Sequence, residues 1–254
     1  MKHTLLASAL VAVLFSYAAA QDLSAPKASL DPEPARSSNL ASPSQKVPGP
    51  PSFCKPCLFY AGDFDSNASD ANGLANEKDV IVSSGAATYV PFVVPKSRVW
   101  NVTGLFTLNF MSGDQLDPNE SPYEVRKDIP RSGGNGGQLV CHGRKHATVT
   151  ASRACQGFGF ECFYVKVNNL KNCRLAAGKY WLSVVPDCTN IGVCGNNWRA
   201  FVTNDDGAMV NRYGRLEPAN DSFFNSKYFG AVWEPTTDQQ TSKRFSAGVE
   251  GTEK

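Results

Sequence analysis

The stretch Trp100-Asn101-Val102-Thr103-Gly104-Leu105-Phe106-Thr107-Leu108-Asn109-Phe110 decides the fold class. Trp100, Val102, Phe106, Leu108 and Phe110 recur at every second position, with Gly104 in the same phase. Asn101, Thr103, Thr107 and Asn109 fill the alternate positions. A period of two sends successive side chains to opposite faces of an extended chain, so the pattern predicts a long strand with one buried face.

The same reading extends in both directions. Residues 88–94 are β-branched and aromatic, with Pro91 confining them to an edge or a bulge. Further strands are expected at residues 123–127, 138–142, 147–150, 158–167, 180–185, 198–203, 223–234 and 245–249. Turn signals separate them: Asp117-Pro118-Asn119, the run Ser132-Gly133-Gly134-Asn135-Gly136-Gly137, Asn168-Asn169, Asn196-Asn197 and Asp205-Asp206-Gly207. Helical periodicity is nearly absent, and no repeat of fixed period occurs. Many short strands between turns predict an all-β fold, a jelly-roll-like β-sandwich. Aromatic side chains would fill the layer between its sheets.

The N-terminal region has a different composition. Lys2 and His3 precede an apolar run from Thr4 to Phe15, and Ala18-Ala19-Ala20 offers small residues for cleavage before Gln21. Residues 1–20 therefore read as a secretory signal peptide, since a membrane span needs about 20 apolar residues. No cysteine follows Ala20, which argues against a lipoprotein, and no later run reaches spanning length. Residues 21–53 carry Pro26, Pro32, Pro34, Pro43, Pro48, Pro50 and Pro51 among Ser, Ala and Lys, and are expected to form a disordered leader. One domain is assigned to residues 54–250. The expected location is extracellular or periplasmic, with no transmembrane segment in the mature chain. Charge sharpens the class. Twenty-five basic residues against 23 acidic ones leave a formal +2, which argues against a nucleic-acid partner.

All eight cysteines lie in the exported part: Cys54, Cys57, Cys141, Cys155, Cys162, Cys173, Cys188 and Cys194. Export and an even count predict disulfides, although eight cysteines allow many pairings. Cys188 and Cys194 enclose a short loop and form the preferred pair. Cys54-Lys55-Pro56-Cys57 has the spacing of a redox motif. Proline-rich sequence precedes it and Leu58-Phe59-Tyr60 follows, rather than a helix start that would lower a thiolate pKa. A structural staple is the favoured reading, ahead of a redox or zinc site.

Four constellations bear on function. Asp63, Asp65, Asn67, Ser69 and Asp70 concentrate oxygen ligands on one loop and suggest Ca2+, the one cofactor considered, with Asp63, Asp65, Asn67 and Asp70 as ligands. Ala68 and Leu74 stand where an EF-hand needs Gly and Glu, so the loop is no EF-hand. Local turns by Asp and Asn are the plainer explanation. His142-Gly143-Arg144-Lys145-His146 reads as a basic hairpin tip, with His142 and Arg144 as candidates for meeting acidic sugars or phosphates. On a strand the two histidines would stand about 13 Å apart, too far for one zinc. No G-x-S-x-G elbow marks a nucleophile. Any two of Asp114, Asp117, Glu120, Glu124, Glu161, Asp187, Asp205, Asp206 and Glu217 could pair for glycoside hydrolysis, but spacing alone singles out none. Trp181, Trp198, Tyr213, Tyr228, Phe229 and Trp233 offer a stacking platform for sugars, against core packing as the commoner fate of such rings. Trp198 follows Gly195-Asn196-Asn197 and is the leading ligand contact, with Asn196 and Asn197 as amide donors.

Several segments together carry a resemblance. Trp100-Asn101-Val102-Thr103, Tyr123-Glu124-Val125-Arg126 and Gly134-Asn135-Gly136-Gly137-Gln138-Leu139-Val140 are three of them. Gly178-Lys179-Tyr180-Trp181-Leu182-Ser183-Val184 and the run from Ser222 to Ala231 complete the set. Together they resemble a group of secreted bacterial proteins with no known activity. The resemblance implies an exported, jelly-roll-like sandwich and no reaction. The cysteines around Cys155, Cys162 and Cys173 depart from it. The expected function is non-catalytic: binding of polysaccharide or cell-surface glycan, or a role in extracellular matrix. The alternatives are a carbohydrate-active lyase or hydrolase and a structural envelope protein without a small ligand.

Overall fold

A computed structural model describes residues 50–64, 73–78, 85–111, 120–132, 134–157, 160–187, 200–203, 210–211, 221–226, 230–239 and 244–254. Of residues 120, 153–157, 160, 200–203, 210–211 and 239 it describes the backbone alone. The chain is an all-β sandwich. In chain order the strands are β1 (Cys57–Tyr60), β2 (Gly73–Ala75), β3 (Ala87–Val94), β4 (Trp100–Met111), β5 (Glu120–Lys127), β6 (Gln138–Gly157) and β7 (Phe160–Asn168). There follow β8 (Arg174–Leu175), β9 (Gly178–Val184), β10 (Ala200–Thr203), β11 (Val210–Asn211), β12 (Phe223–Ser226), β13 (Ala231–Pro235) and β14 (Ala247–Glu253). A single 3-10 turn, Thr236–Gln239, is the one helical element among the described residues.

The hydrogen-bonded path runs β11-β1-β14-β4-β7-β6-β5-β9-β3-β12-β13, with β8 and β10 pairing with β4 and β2 pairing with β10. It folds into two layers at β6. Residues 147–157 of that strand pair with β7, and residues 138–146 pair with β5. The layers stack through their aromatic rings. Phe92 of β3 lies 5.8 Å from the ring of Phe59 on β1 and stacks at 6.1 Å on Trp100 of β4. Leu105, Val125, Val165, Leu182, Val184 and Val249 complete this core.

The predicted alternation of β4 needs one correction. Trp100 and Val102 face the central core, but so does Leu105, while Phe106, Leu108 and Phe110 belong to a second cluster on the outside of the sheet. The cause is a bulge. Val102 pairs with Gly251 and Gly104 with Glu250, so Thr103 is an extra residue facing no partner on β14. One extra residue inverts the faces of everything beyond it. Thr107 and Asn109 consequently point inward and are buried. Their polarity is satisfied by a closed set of hydrogen bonds. Asn109 Nδ2 donates to Thr107 Oγ1 at 2.9 Å, and Thr107 Oγ1 donates to Val184 O at 3.1 Å. Asn76 Nδ2 donates to Asn109 Oδ1 at 3.0 Å. A buried polar group costs free energy unless it is paired, and these are paired.

Two further expectations change. Residues 138–142 and 147–150 are parts of one 20-residue strand, so His142–His146 lies mid-strand and not at a hairpin tip. Residues 223–234 are two strands, β12 and β13, joined across Gly230 at φ 72°. Pro91 falls where β3 has β9 on one side and β12 has already ended, since β12 pairs with Ala87, Thr88 and Tyr89. A residue without an N–H fits such a local edge.

Two disulfides join described cysteines. Cys54–Cys57 closes a short loop, and Cys141–Cys173 ties β6 to the segment before β8. Cys162 is disulfide-bonded as well. Cys188, Cys194 and the side chain of Cys155 lie outside the described residues, and with them the preferred Cys188–Cys194 pair. Among the described residues no helix is long and apolar enough to cross a membrane.

Candidate ligand-binding site

The outward faces of the two layers differ. Outside the first layer, Tyr60, Phe64, Phe106, Leu108, Phe110 and Tyr164 pack together and are capped by Phe53 and the Cys54–Cys57 loop. Phe53 meets Phe106 edge-on at 5.1 Å and Tyr164 at 5.0 Å. Asp63 sits in this cap and accepts hydrogen bonds on Oδ1 from the hydroxyls of Tyr60 and Tyr164. Burial, with the neighbouring Asp63 charge adding to it, pushes both tyrosines well above their ordinary range; the Tyr164 phenol adds to the rise of Tyr60, while the hydrogen bond with Tyr60 works against the rise of Tyr164. Asp63 therefore has a structural duty in this cap. Asp65, Asn67 and Asp70 lie outside the described residues. No group of metal-holding side chains occurs among the described residues.

Outside the second layer the surface is concave. Strand register places residues of neighbouring strands side by side. His142 stands opposite Glu124, and Glu124 opposite Ser183. Arg144 stands opposite Pro122, and Ala87 opposite Asn225. A cavity of about 180 Å³ opens on this face. Pro122, Glu124, Ser183 and Val185 line one side, Ala87, Tyr89 and Asn225 the other, and Glu77 and Lys78 overhang it.

The lining is held by charge pairs. Tyr89 Oη donates to Glu124 Oε2 at 2.8 Å, and Arg126 Nε donates to the same oxygen at 2.6 Å. The Arg126 guanidinium lies 4.5 Å from the centre of the Trp233 ring and 5.8 Å from that of Tyr89, within cation–π range. Trp233 reaches this position from a left-handed backbone, φ 56°, which bulky residues rarely adopt. It packs on Tyr89 with ring centres 4.7 Å apart. Burial, with Glu124 adding to it, raises the Tyr89 phenol above its ordinary range. At the rim, Lys78 Nζ lies 3.2 Å from Asp187 Oδ2, and Arg144 pairs with the same buried carboxylate.

One group on this surface is left over. Ser183 is 1% exposed, lines the cavity, and its Oγ has no hydrogen-bond partner. An unpaired buried hydroxyl costs about 1–3 kcal/mol.

Comparison with protein-family models, curated proteins and solved structures returns no match.

Of the sequence candidates, His142 and Arg144 fall on this face. His142 and His146 are exposed on the same side of one strand, too far apart to share a metal. Trp181 and Trp233 are buried, so neither forms a flat exposed platform. Trp198, Asn196, Asn197, Tyr213, Tyr228 and Phe229 lie outside the described residues. Tyr89, Ser183 and Asn225 were not singled out from sequence as site residues. Strand alternation could have placed Glu124 and Ser183 outward, but nothing in a sequence marks a hydroxyl as unpaired.

Proposed function

We propose that the protein is a secreted, non-catalytic β-sandwich that binds glycan through the concave face of its second layer. The observation that carries this reading is the small cavity, lined by polar and apolar groups alike, with the unpartnered Ser183 Oγ in its wall. Sugar hydroxyls both donate and accept, and the lining supplies a carboxylate acceptor in Glu124, a carboxamide in Asn225 and the spare hydroxyl. Disulfides fit an oxidising compartment, extracellular or periplasmic.

The test is a glycan panel probed with the wild type and with Ser183→Val, which replaces the hydroxyl in the cavity wall with methyl groups. Binding by the wild type and its loss in the variant, with an unchanged melting profile, is the expected result. A variant that binds as well as the wild type contradicts the site. A wild type that binds no glycan favours a structural envelope role.

Glu77 and Glu124 both line the cavity, which supports a second reading as a glycoside hydrolase or lyase. Release of reducing ends or unsaturated sugars from the same panel decides for it. The non-catalytic reading expects neither.

A further inference from the structure

We infer that the ligand is an uncharged glycan chain lying along β9, with a second subsite beyond the first. This rests on the glycan-binding reading above and extends it. The outward positions of β9 are Lys179, Trp181 and Ser183, followed by Val185 just past the strand. Ser183 and Val185 line the cavity already described. Lys179 and Trp181 line a larger open groove of about 470 Å³, together with Ile129, Pro130, Arg131 and Phe223. Six residue steps along a strand cover about 20 Å. That is the reach of a short oligosaccharide and not of one sugar ring. The two hollows lie along the same strand, and Arg126 packs over the Trp233 ring at 4.5 Å. Arg126 is the register partner of Trp181.

The second hollow has the character of a sugar subsite. Trp181 and Phe223 supply an apolar floor, their rings edge to face at 5.8 Å. The Trp181 indole N–H is anchored by donating to Asp221 O at 2.9 Å, which fixes the ring. Polar groups stand at the rim, where Arg131 pairs with Asp221 at 3.1 Å.

Charge balance selects the chemistry of the chain. Arg126 is paired with Glu124, Lys78 and Arg144 with Asp187, and Arg131 with Asp221. The two linings together hold three basic residues, Lys78, Arg131 and Lys179, against four carboxylates, Glu77, Glu124, Asp128 and Asp221, which leaves no excess positive field to attract a uronate or a sulfate. Paired carboxylates and guanidinium groups still offer acceptors and donors to neutral hydroxyls.

The experiment is calorimetric titration with cello-, xylo-, manno- and chito-oligosaccharides, each as the monosaccharide and the hexasaccharide, and with a uronate and a sulfated hexasaccharide. The variants are Lys179→Ala, which trims the exposed groove wall, Trp181→Phe, which keeps a ring in the floor, and Ser183→Val. For the preferred glycan the hexasaccharide should bind at least roughly tenfold tighter than the monosaccharide, a difference of about 1.4 kcal/mol. Lys179→Ala and Trp181→Phe should reduce that advantage several-fold and leave the monosaccharide unchanged. Ser183→Val should weaken both. Equal affinity for monosaccharide and hexasaccharide overturns the chain and leaves the single-site reading standing. A length advantage untouched by both groove variants overturns the second subsite. Preference for a uronate or sulfated hexasaccharide overturns the neutral ligand. Failure of every saccharide overturns the glycan-binding reading itself.

Discussion

The two outer faces of this sandwich are built from similar material and finished in opposite ways. Outside the first layer, aromatic side chains on β1, β4 and β7 are covered by Phe53 and the Cys54–Cys57 loop. Even the polar groups there, Asp63 with Tyr60 and Tyr164, bond to one another. Outside the second layer, Tyr89, Trp181, Phe223 and Trp233 also cluster, but two hollows stay open beside them and one buried hydroxyl lacks a partner. A closed face contributes stability. The open face, with spare bonding capacity, is the one to which the proposed function assigns recognition, and on that proposal the two roles should separate under mutation.

The largest effect is expected on the closed face. Phe106 is fully buried between Phe53, Tyr60 and Tyr164. Phe106→Ala should cost about 3–5 kcal/mol of unfolding free energy in a urea titration. The affinity of the remaining folded protein for saccharide should not move. A loss of affinity without a loss of stability would reverse the roles assigned to the two faces.

Next in size is the link between the layers. Cys141–Cys173 spans 32 residues and Cys54–Cys57 spans 3. Removing the longer bridge with paired Ala substitutions should cost about 3–4 kcal/mol on chain-entropy grounds. Removing the shorter should cost less, because its loop is easily closed without it. Denaturation midpoints of the two double variants check the order.

A smaller effect appears in alkali. Tyr60, Tyr164 and Tyr89 each hold their proton more tightly in the fold than the ordinary phenol value of 10.0 allows. The folded chain then binds more protons than the unfolded chain above about pH 10, so stability is level below that pH and falls as pH climbs past it. Phenolate absorbance should show these three silent until the protein unfolds. Replacing Tyr60 and Tyr164 with Phe should flatten the closed-face share of the slope, leaving that of Tyr89.

The smallest stability effect belongs to the open face. Ser183→Ala removes a hydroxyl that has no partner. Its unfolding free energy should stay within about 0.5 kcal/mol of wild type, or rise. Saccharide affinity should nonetheless fall. A marked destabilisation would mean that Ser183 is part of the packing and not of a site.

The fold was legible in the sequence because period-two alternation is a direct imprint of a half-buried strand. Trp100 to Phe110 made the all-β reading, and turn residues supplied the breaks. The bulge at Thr103 was not legible, since no residue type demands an unpaired position there, and it turned Thr107 and Asn109 inward. The continuity of β6 was hidden by Gly143, which reads as an interruption. A Cβ at that position would press against the Tyr123 ring at 3.0 Å, so the glycine serves close packing inside the strand. The site was legible only in fragments. His142, Arg144, Glu124 and Asp187 drew notice as charges, yet their convergence depends on register between β5, β6 and β9. Register is a long-range property, and Ser183 gains its meaning from it alone.

The most direct test is a crystal structure of the protein with the tightest saccharide of the panel. Sugar density in the hollow walled by Glu124, Ser183 and Asn225, with a hydroxyl bonded to Ser183 Oγ, is the expected result. An empty hollow with saccharide bound on any other surface would contradict the assignment of this face.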